Sequence, residues 1–309
     1  MLAGQAWLAR RQSTGQGAVL TFHGLRRDEE PAGILDEGLH LRLSVFQAIC
    51  AHLSENYQVI PLSEMFRMID LGQRLPDRAI SLTFDDGYAS NYHLAYPALK
   101  QHGLPATVFL TTGFLDGTES LWFQEMDLAM QAKGESKNLA ATLLRLKMLP
   151  DQEMREILTA YCADCAPSQT RPVVTLPLTW DMAREMQASG LVEFGGHTHS
   201  HPILARCSLE QQRREIFTCY ERLSAELGRA PKLFAYTNGG AEDFSTETCG
   251  LLAEAGFEAA FTMMSGRVKP GLNPYALPRY GSPETLWEAE ATASGAFEML
   301  REWRGGGRA

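Results

Sequence analysis

The sequence predicts an α/β protein built on a parallel sheet, which is either open or closed into a barrel. Short apolar runs rich in β-branched residues recur along the 309 residues, and helical stretches lie between them. Strands that alternate with helices in this way are typical of parallel sheets. Four of the predicted helices are followed directly by a glycine, the residue that most readily adopts the left-handed conformation at a helix C-terminus. These glycines are Gly103, Gly190, Gly228 and Gly256.

The elements follow in order along the chain. The predicted strands are Ala18–Phe22, Tyr57–Pro61, Ala79–Phe84, Ala106–Thr111, Leu191–Phe194, Lys232–Tyr236 and Ala259–Thr262, with Ala276–Tyr280 as a possible eighth. The predicted helices are Ser44–Glu55, Leu62–Leu71, Tyr92–His102, Thr179–Ser189, Ser208–Leu227 and Ser245–Ala255. We expect residues 1–309 to form a single domain, because α/β barrels commonly use 200–250 residues as one unit.

One segment interrupts this alternation. From about residue 121 to 176 the sequence shows helical periodicity and no convincing strand. We interpret it as a helical insertion between two strands, ending in the loop-like stretch Cys162–Pro172. Three roles remain open for the insertion: covering the site, shaping a substrate groove, or packing alone.

The bulk composition excludes several classes of protein. Hydrophobic content of 45% and charged content of 21% are ordinary for a globular protein. A net charge of -9 argues against a nucleic-acid-binding protein, which relies on clustered Lys and Arg. No stretch reaches the roughly 20 apolar residues of a membrane span. The N-terminal segment Met1–Arg11 lacks the pattern of a secretory signal, so we expect a cytoplasmic location.

The six cysteines do not predict a metal site or a disulfide framework. Cys162 and Cys165 form a lone C-x-x-C motif, without a second pair at zinc-finger spacing. The motif also lies in a polar helical stretch rather than at a strand-to-helix redox turn. We expect ordinary reduced thiols.

Two adjacent carboxylates end the strand Ala79–Phe84. Side chains alternate along a strand, so Asp85 shares a face with Thr83 and points into the mouth of a barrel. Asp86 begins the turn at the strand's C-terminal end, where α/β barrels place catalytic groups. The alternative is that one aspartate caps the next helix and the other is solvated.

Histidines follow another predicted strand, about 110 residues later. His197 and His201 are four residues apart, and on a helical turn this spacing places both imidazoles on one face. With one carboxylate they would form a three-ligand metal site with open positions. His199 lies between them and should point elsewhere. The second aspartate would then accept a proton from water.

Two further segments fall at strand ends. His23 ends the first predicted strand, and a hydrogen-bonded structural histidine is the competing interpretation there. The strand in Lys232–Gly240 breaks into a glycine-rich turn whose backbone N–H groups could face an oxyanion.

These segments together resemble the polysaccharide deacetylase family, the carbohydrate esterases that share the NodB homology domain. Thr83-Phe84-Asp85-Asp86-Gly87 resembles the first motif of the family, and His197-Thr198-His199-Ser200-His201 resembles the second. The flanks are similar too, from Leu178 to Leu191 before the histidines and from Arg214 to Gly228 after them. The resemblance covers residues 18 to 282, apart from most of the insertion.

The resemblance implies a distorted (β/α) barrel of about seven strands. It implies a divalent metal, usually zinc, held by Asp86, His197 and His201, with Asp85 as general base. The implied reaction is hydrolysis of an N-acetyl group from a hexosamine of a polysaccharide or its precursor. A carbohydrate is therefore the expected partner.

The sequence departs from the family pattern in three places. Tyr236-Thr237-Asn238-Gly239 lacks the proline of the third motif, and the resemblance makes the Asn238 backbone N–H the candidate oxyanion donor. The usual arginine beside the base is missing, and Arg279 is the candidate replacement. No histidine follows His201 to act as general acid. Some members look circularly permuted and carry this histidine near the N-terminus, which assigns the role to His23.

Two other functions remain open at this stage. One is a metal-dependent hydrolase of a small amide or cyclic imide, which the missing secretory signal favours. The other is a sugar-binding barrel without turnover, which the altered third motif favours. The sequence leaves the glycan, the identity of the metal and the oligomeric state undetermined.

Overall fold

A computed structural model describes residues 14–30, 39–163 and 173–297 of the protein. The seven strands of its main sheet are β1 (Gly17–Phe22), β4 (Gln58–Val59), β5 (Ala79–Phe84), β6 (Ala106–Leu110), β7 (Val192–Gly196), β8 (Leu233–Ala235) and β9 (Ala259–Phe261). They lie in the order β1-β5-β6-β7-β8-β9, and β4 also pairs with β5. Every pairing in the sheet is parallel, as the sequence predicts.

Residues 277–280 connect the two edges of this sheet. Leu277 bridges Phe261 of β9, and Tyr280 bridges Leu20 of β1. The Tyr280 N–H donates to the Val19 carbonyl at 2.9 Å, and the Tyr280 carbonyl accepts from the Thr21 N–H at 3.0 Å. The sheet therefore curls into the distorted barrel implied by the family resemblance. The predicted eighth strand, Ala276–Tyr280, is only a bridging segment, because Pro278 within it has no N–H to donate.

Helices surround the strands. They are α1 (Leu43–Asn56), α2 (Leu62–Asp70), α3 (Tyr96–His102), α4 (Thr112–Asp116), α5 (Trp122–Ala132), α6 (Leu139–Leu146), α7 (Asp151–Cys162), α8 (Trp180–Ala188), α9 (Leu209–Leu227), α10 (Thr246–Ala255) and α11 (Leu286–Ser294). Local signals fix several ends. The side chains of Thr179, Ser208 and Ser245 accept from backbone N–H groups in the first turns of α8, α9 and α10. Gly228 and Gly256 adopt positive φ at the ends of α9 and α10.

Several elements differ from the sequence prediction. β2 (Gly24–Arg26) and β3 (His40–Arg42) form a separate two-stranded parallel sheet that was not predicted, since three residues are too few to show a periodic pattern. The predicted strand Tyr57–Pro61 shrinks to β4. The predicted helix Tyr92–His102 begins as a π-helical turn over Asn91–Ala95. The short α4 and the C-terminal α11 were not predicted.

The core lies on both faces of the strands. In β5, Ile80, Leu82 and Phe84 pack in a cluster shared with α1, α3 and α8. On the opposite face, Thr83 donates a hydrogen bond to the Leu20 carbonyl and lies 3.3 Å from a guanidinium nitrogen of Arg279. This alternation is the one predicted from the sequence, and it brings polar groups into the barrel.

The insertion forms a small helical layer with its own core. Residues of α5, α6 and α7 pack with Tyr88 and Phe114 of the barrel in one hydrophobic cluster. No strand occurs in its described part, residues 121–163 and 173–176, as predicted. Residues 164–172, which make up most of the predicted loop Cys162–Pro172, lie outside the described residues.

Two other sequence predictions fall partly or wholly outside the described residues. The N-terminal segment Met1–Arg11 lies outside them, and so does Cys165 of the C-x-x-C motif. The five described cysteines are free thiols. Among the helices that the structure describes, none combines the length and apolar character required to cross a bilayer.

Candidate active site

Asp86, His197 and His201 converge at the C-terminal edge of the sheet. Asp86 lies two residues after the end of β5. His197 directly follows β7, which is separated from β5 in the sheet by β6. The Nε2 atoms of His197 and His201 lie 3.4 and 3.1 Å from the Asp86 Oδ1 atom. One donor atom from each of the three residues lies within 4.8 Å of the others, and all three residues are buried.

The chemistry of this cluster suits a cation. Both carboxylate oxygens of Asp86 are buried and lack a well-aligned hydrogen-bond donor among the described residues. The Nδ1 atom of His197 lies 2.8 Å from the Ala235 carbonyl oxygen, so Nδ1 carries the proton and Nε2 presents its lone pair towards Asp86. Burial would raise the pKa of Asp86, but the two imidazoles outweigh it and hold this pKa well below its usual value.

The histidines occupy an irregular turn rather than the helical turn expected from their spacing. Thr198 and His201 both have positive φ, at 66° and 61°, which an α-helix does not allow. The Thr198 hydroxyl accepts a hydrogen bond from the His201 N–H at 2.9 Å and so closes the turn. The expectation of a helical turn was wrong, although the two imidazoles do share one side. His199 points away, with its Nδ1 atom 2.9 Å from the Thr112 hydroxyl.

Asp85 is paired with Arg279 inside the barrel. The guanidinium donates two parallel hydrogen bonds to the carboxylate, at 2.7 and 2.8 Å, and both side chains are almost fully buried. Burial alone would raise the pKa of Asp85, but the charge of Arg279 lowers it below the usual value. The carboxylate is therefore ionised and held in one orientation. Asp85 is also close enough to His197 to raise the pKa of that imidazole against the opposing effect of burial.

His23 and Asn238 lie at the same edge and line the same cavity of 480 Å³ as the acidic pair. His23 follows β1, and its Nδ1 atom is buried without a hydrogen-bond partner among the described residues. Asn91 donates to the His23 carbonyl at 2.6 Å and fixes the backbone there. Asn238 has positive φ (63°) in the turn after β8, and its side chain donates to Asp243.

The insertion forms the opposite wall of this cavity. Trp122 and Phe123 from α5 contribute to it, and the Phe123 ring packs edge-on against the His201 imidazole at 5.2 Å between centroids. From α6 come Leu139, Ala140, Leu143, Leu144 and Lys147 just beyond its end. Of the three roles left open for the insertion, the structure therefore supports a cap that shapes the cavity.

Two residues that support the histidine turn were not identified as functional from the sequence. The Glu215 carboxylate of α9 accepts hydrogen bonds from the backbone N–H groups of His199 and Ser200, at 2.9 and 2.8 Å. Arg155 of α7 donates to the Ser200 carbonyl and hydroxyl, at 3.1 and 2.9 Å. Glu215 lies in the flank Arg214 to Gly228 that resembles the family, but the resemblance gave it no role, and no local pattern distinguishes Arg155 from an ordinary helix-surface charge.

Comparison with known proteins settles the family. The model of the family described as polysaccharide deacetylase matches residues 72–260, which is more than half of the chain. The protein belongs to the polysaccharide deacetylase family. The match contains both Asp85-Asp86 and the histidine turn, and it ends within β9.

Relatives in this deacetylase family match parts of the chain. A putative polysaccharide deacetylase of Bacillus subtilis, YxkH, is 38% identical over 106 residues, covering 34% of this chain and 35% of the relative. A poly-beta-1,6-N-acetyl-D-glucosamine N-deacetylase of Staphylococcus aureus is 23% identical over 241 residues, covering 75% of this chain and 61% of the relative. The matches thus span between about a third and three fifths of these relatives.

Solved structures of deacetylases share the fold over most of the chain. The Streptococcus pyogenes deacetylase PplD, in complex with acetate, superposes with a TM-score of 0.64 at 18% identity and covers 90% of this chain and 98% of its own. IcaB from Ammonifex degensii gives a TM-score of 0.63 at 18% identity and covers 90% and 97%. At this level of identity the superpositions establish the barrel fold.

Proposed function

We propose that the protein is a metal-dependent hydrolase that removes N-acetyl groups from an N-acetylhexosamine in a polysaccharide or its precursor. The observation that carries this proposal is the convergence of Asp86, His197 and His201 beside an ionised, arginine-bound Asp85. Membership of the polysaccharide deacetylase family supports the same reaction. The name of the Staphylococcus aureus relative supports the deacetylation of a glycan.

Asp86, His197 and His201 would hold the cation, for which we propose zinc. A divalent cation in such a site lowers the pKa of water and polarises a carbonyl group. Because His197 is fixed through Nδ1 by the Ala235 carbonyl, its Nε2 lone pair is oriented before any ion binds.

The remaining steps fall to side chains that line the cavity. Asp85 is ionised and accepts the proton of the attacking water, and the two hydrogen bonds from Arg279 keep its carboxylate aligned. His23 donates a proton to the leaving amine, which an amide requires for cleavage. The Asn238 backbone N–H is our candidate donor to the developing oxyanion.

Metal analysis and acetate release test this proposal directly. Purified protein should contain about one divalent ion per chain and release acetate from N-acetylglucosamine oligomers. Removal of the ion with a chelator should abolish release, and added zinc should restore it. If a variant with Asp85→Asn keeps full activity, Asp85 is not the base.

Metal content separates the two catalytic roles of the acidic pair. The variant Asp85→Asn should lose acetate release by at least about a hundredfold, the usual contribution of a general base, while it retains the ion. The variant Asp86→Asn should lose both the ion and the activity. Equal metal loss in the two variants would overturn the division of roles between them.

A substrate panel separates the remaining alternatives. Acetate release from amino sugars but not from simple amides or imides supports the proposed substrate. Normal metal content and glycan binding without acetate release from any substrate would indicate a sugar-binding barrel. The cytoplasmic location predicted from the sequence stays a prediction.

A further inference from the structure

The cap presents an apolar face to the catalytic groups. Leu139 and Leu143 of α6 are four residues apart, so they lie on one side of the helix, and Leu144 lies on the adjacent side, about 100° around the helix axis. All three line the cavity that contains Asp85 and Asp86. Leu144 is 68% exposed although it is a large apolar side chain. An exposed leucine at the mouth of a catalytic cavity is available for contact with a ligand.

Neighbouring elements continue this apolar surface. Trp122 and Phe123 extend it along α5, Ile203 extends it past the histidine turn, and Met263 extends it beyond the end of β9. We call these four residues, together with Leu139, Leu143 and Leu144, the apolar wall. The apolar wall begins at the proposed metal ligands, because the Phe123 ring contacts the His201 imidazole.

The polar groups beside the apolar wall already bond to the protein. The Lys147 ammonium donates to the Asn238 side-chain oxygen at 2.8 Å. The Tyr236 hydroxyl donates to the Tyr275 carbonyl at 2.9 Å. These are the polar residues that line the cavity in the described part of the chain, apart from the proposed metal ligands, base and acid.

This lining is unsuited to the hydroxyl groups of a polar glycan chain. A buried hydroxyl without a hydrogen-bond partner is costly, whereas a methylene group placed against an apolar surface gains free energy. In a ligand pocket a small number of polar groups fix the orientation of the polar part of the ligand, while apolar side chains make up the rest of the lining. The part of the substrate that faces α6 is therefore expected to be apolar.

We propose that the apolar wall binds an apolar chain attached to the sugar close to the scissile amide, so that the substrate is an amphipathic N-acetylated amino sugar, as in a lipid-linked glycan precursor. This inference rests on the proposed deacetylase function and specifies its substrate. Because the acyl group that is removed is acetyl, the sugar is the part of the substrate that carries the chain.

A set of three synthetic substrates tests the inference. The reference is the methyl β-glycoside of N-acetylglucosamine. One analogue carries an octyl group in place of the glycosidic methyl, and the other carries an N-octanoyl group in place of N-acetyl. Each is supplied to the zinc-loaded protein below its critical micelle concentration, and release of the carboxylic acid gives kcat/KM.

We expect the octyl glycoside to exceed the reference by about tenfold or more in kcat/KM, the effect of burying roughly two methylene groups. A gain with the N-octanoyl compound and not with the octyl glycoside would overturn the attachment of the chain to the sugar. If neither compound exceeds the reference, the inference is wrong while the deacetylase function stands.

Variants of the apolar wall test where the chain binds. Leu144→Gln changes an exposed residue, so the protein should fold, and it should reduce the ratio of octyl to methyl kcat/KM by several-fold. The matched control is Leu71→Gln, because Leu71 is 59% exposed at the end of α2 and does not line the cavity. The control should keep the wild-type ratio. A ratio that Leu144→Gln leaves unchanged would overturn the assignment of the chain to this wall.

A binding measurement separates failure of this inference from failure of the proposed function. If none of the three compounds is hydrolysed, their affinities are compared by calorimetric titration of the same protein. Tighter binding of the octyl glycoside by about tenfold, lost in Leu144→Gln, supports the apolar wall even without deacetylation. Equal affinities for all three compounds would refute it.

Discussion

Arg279 controls the state of the proposed base. It is fully buried, and it meets Asp85 with two hydrogen bonds in the paired geometry that only a guanidinium supplies. A buried pair of this kind contributes little net stability compared with apolar residues of the same volume. Replacement of only one residue of the pair nevertheless destabilises the protein, because the charge of the other residue is left buried without a partner.

The variant Arg279→Met should therefore lower the free energy of unfolding by about 3–5 kcal/mol, measured by urea denaturation. The double variant with Asp85→Asn should be less destabilised than Arg279→Met alone, because the unpaired buried charge is gone. The control is Arg74→Met, which breaks an exposed pair with Asp77 and should cost at most about 1 kcal/mol. If Arg279→Met unfolds at the same urea concentration as the wild-type protein, removal of Arg279 does not leave a costly unpaired charge on Asp85.

Glu215 and Arg155 contact the histidine turn that carries two of the proposed metal ligands. The backbone N–H groups of His199 and Ser200 donate hydrogen bonds to the Glu215 carboxylate, and the Arg155 guanidinium donates one to the Ser200 carbonyl. These contacts hold a turn that contains two residues with positive φ. Such a backbone relies on its surroundings to keep its shape.

We expect Glu215→Ala to weaken zinc affinity by about 10–100-fold, the range found when groups supporting metal ligands are removed. Arg155→Ala should act in the same direction, and both are measured by competition with a chromophoric chelator. Arg214→Ala serves as the control, because Arg214 forms an exposed pair with Glu210 on the same helix as Glu215. Unchanged zinc affinity in Glu215→Ala would show that the turn holds its shape without this carboxylate.

At the scale of elements, the short helix α4 packs directly against the histidine turn. The N–H groups of Thr112 and Gly113 donate to the carbonyls of Thr198 and His199, at 3.2 and 2.8 Å. A Cβ atom added to Gly113 would lie 2.7 Å from the His199 carbonyl oxygen. The absence of a side chain at residue 113 is thus what allows helix and turn to approach this closely.

Replacement of two helical glycines by alanine should have opposite effects. Gly113→Ala should destabilise the protein by about 1–3 kcal/mol, because the added methyl group displaces backbone, and it should weaken zinc binding. Gly250→Ala should stabilise it by about 0.5–1 kcal/mol, since Gly250 lies inside α10 with nothing within 4 Å of an added Cβ. Thermal denaturation compares the two. A Gly113→Ala variant as stable as Gly250→Ala would contradict the close approach.

At the scale of the whole molecule, the barrel depends on the short segment 277–280. This segment supplies the backbone hydrogen bonds between β9 and β1, and it also carries Arg279 to the inside of the barrel. The segment that closes the barrel therefore also positions the arginine that orients the proposed base. The cap then covers the open mouth and converts it into a cavity.

Amide hydrogen exchange tests this role of the segment. The Leu277 and Tyr280 N–H groups donate to Ala260 and Val19, so we expect both to exchange as slowly as amides of β5. The segment 271–275, which precedes it and includes the exposed turn at Gly271, should exchange fast and serves as the internal control. Fast exchange at residues 277 and 280 would mean that the barrel opens between β9 and β1.

Much of the fold could be predicted because the relevant signals are local. All seven main-sheet strands were placed to within two residues from runs of apolar residues, and the capped helices were placed from Ser or Thr at one end and Gly at the other. β2 and β3 could not be predicted, because three residues show no period. The irregular turn at His197–His201 could not be predicted either, since its positive φ values are imposed by partners elsewhere in the chain.

The sequence by itself determined the parallel α/β framework and the presence of a carboxylate pair and a histidine pair at strand ends. The family resemblance drawn from those residues divided the roles of the carboxylates. Only the tertiary structure decided that Arg279 pairs with Asp85, across 194 residues, and that Glu215 and Arg155 support the histidine turn. It also decided that the cap presents leucines to the site. Periodicity and capping act between residues a few positions apart, whereas partners and burial depend on which distant segments the closed barrel brings together.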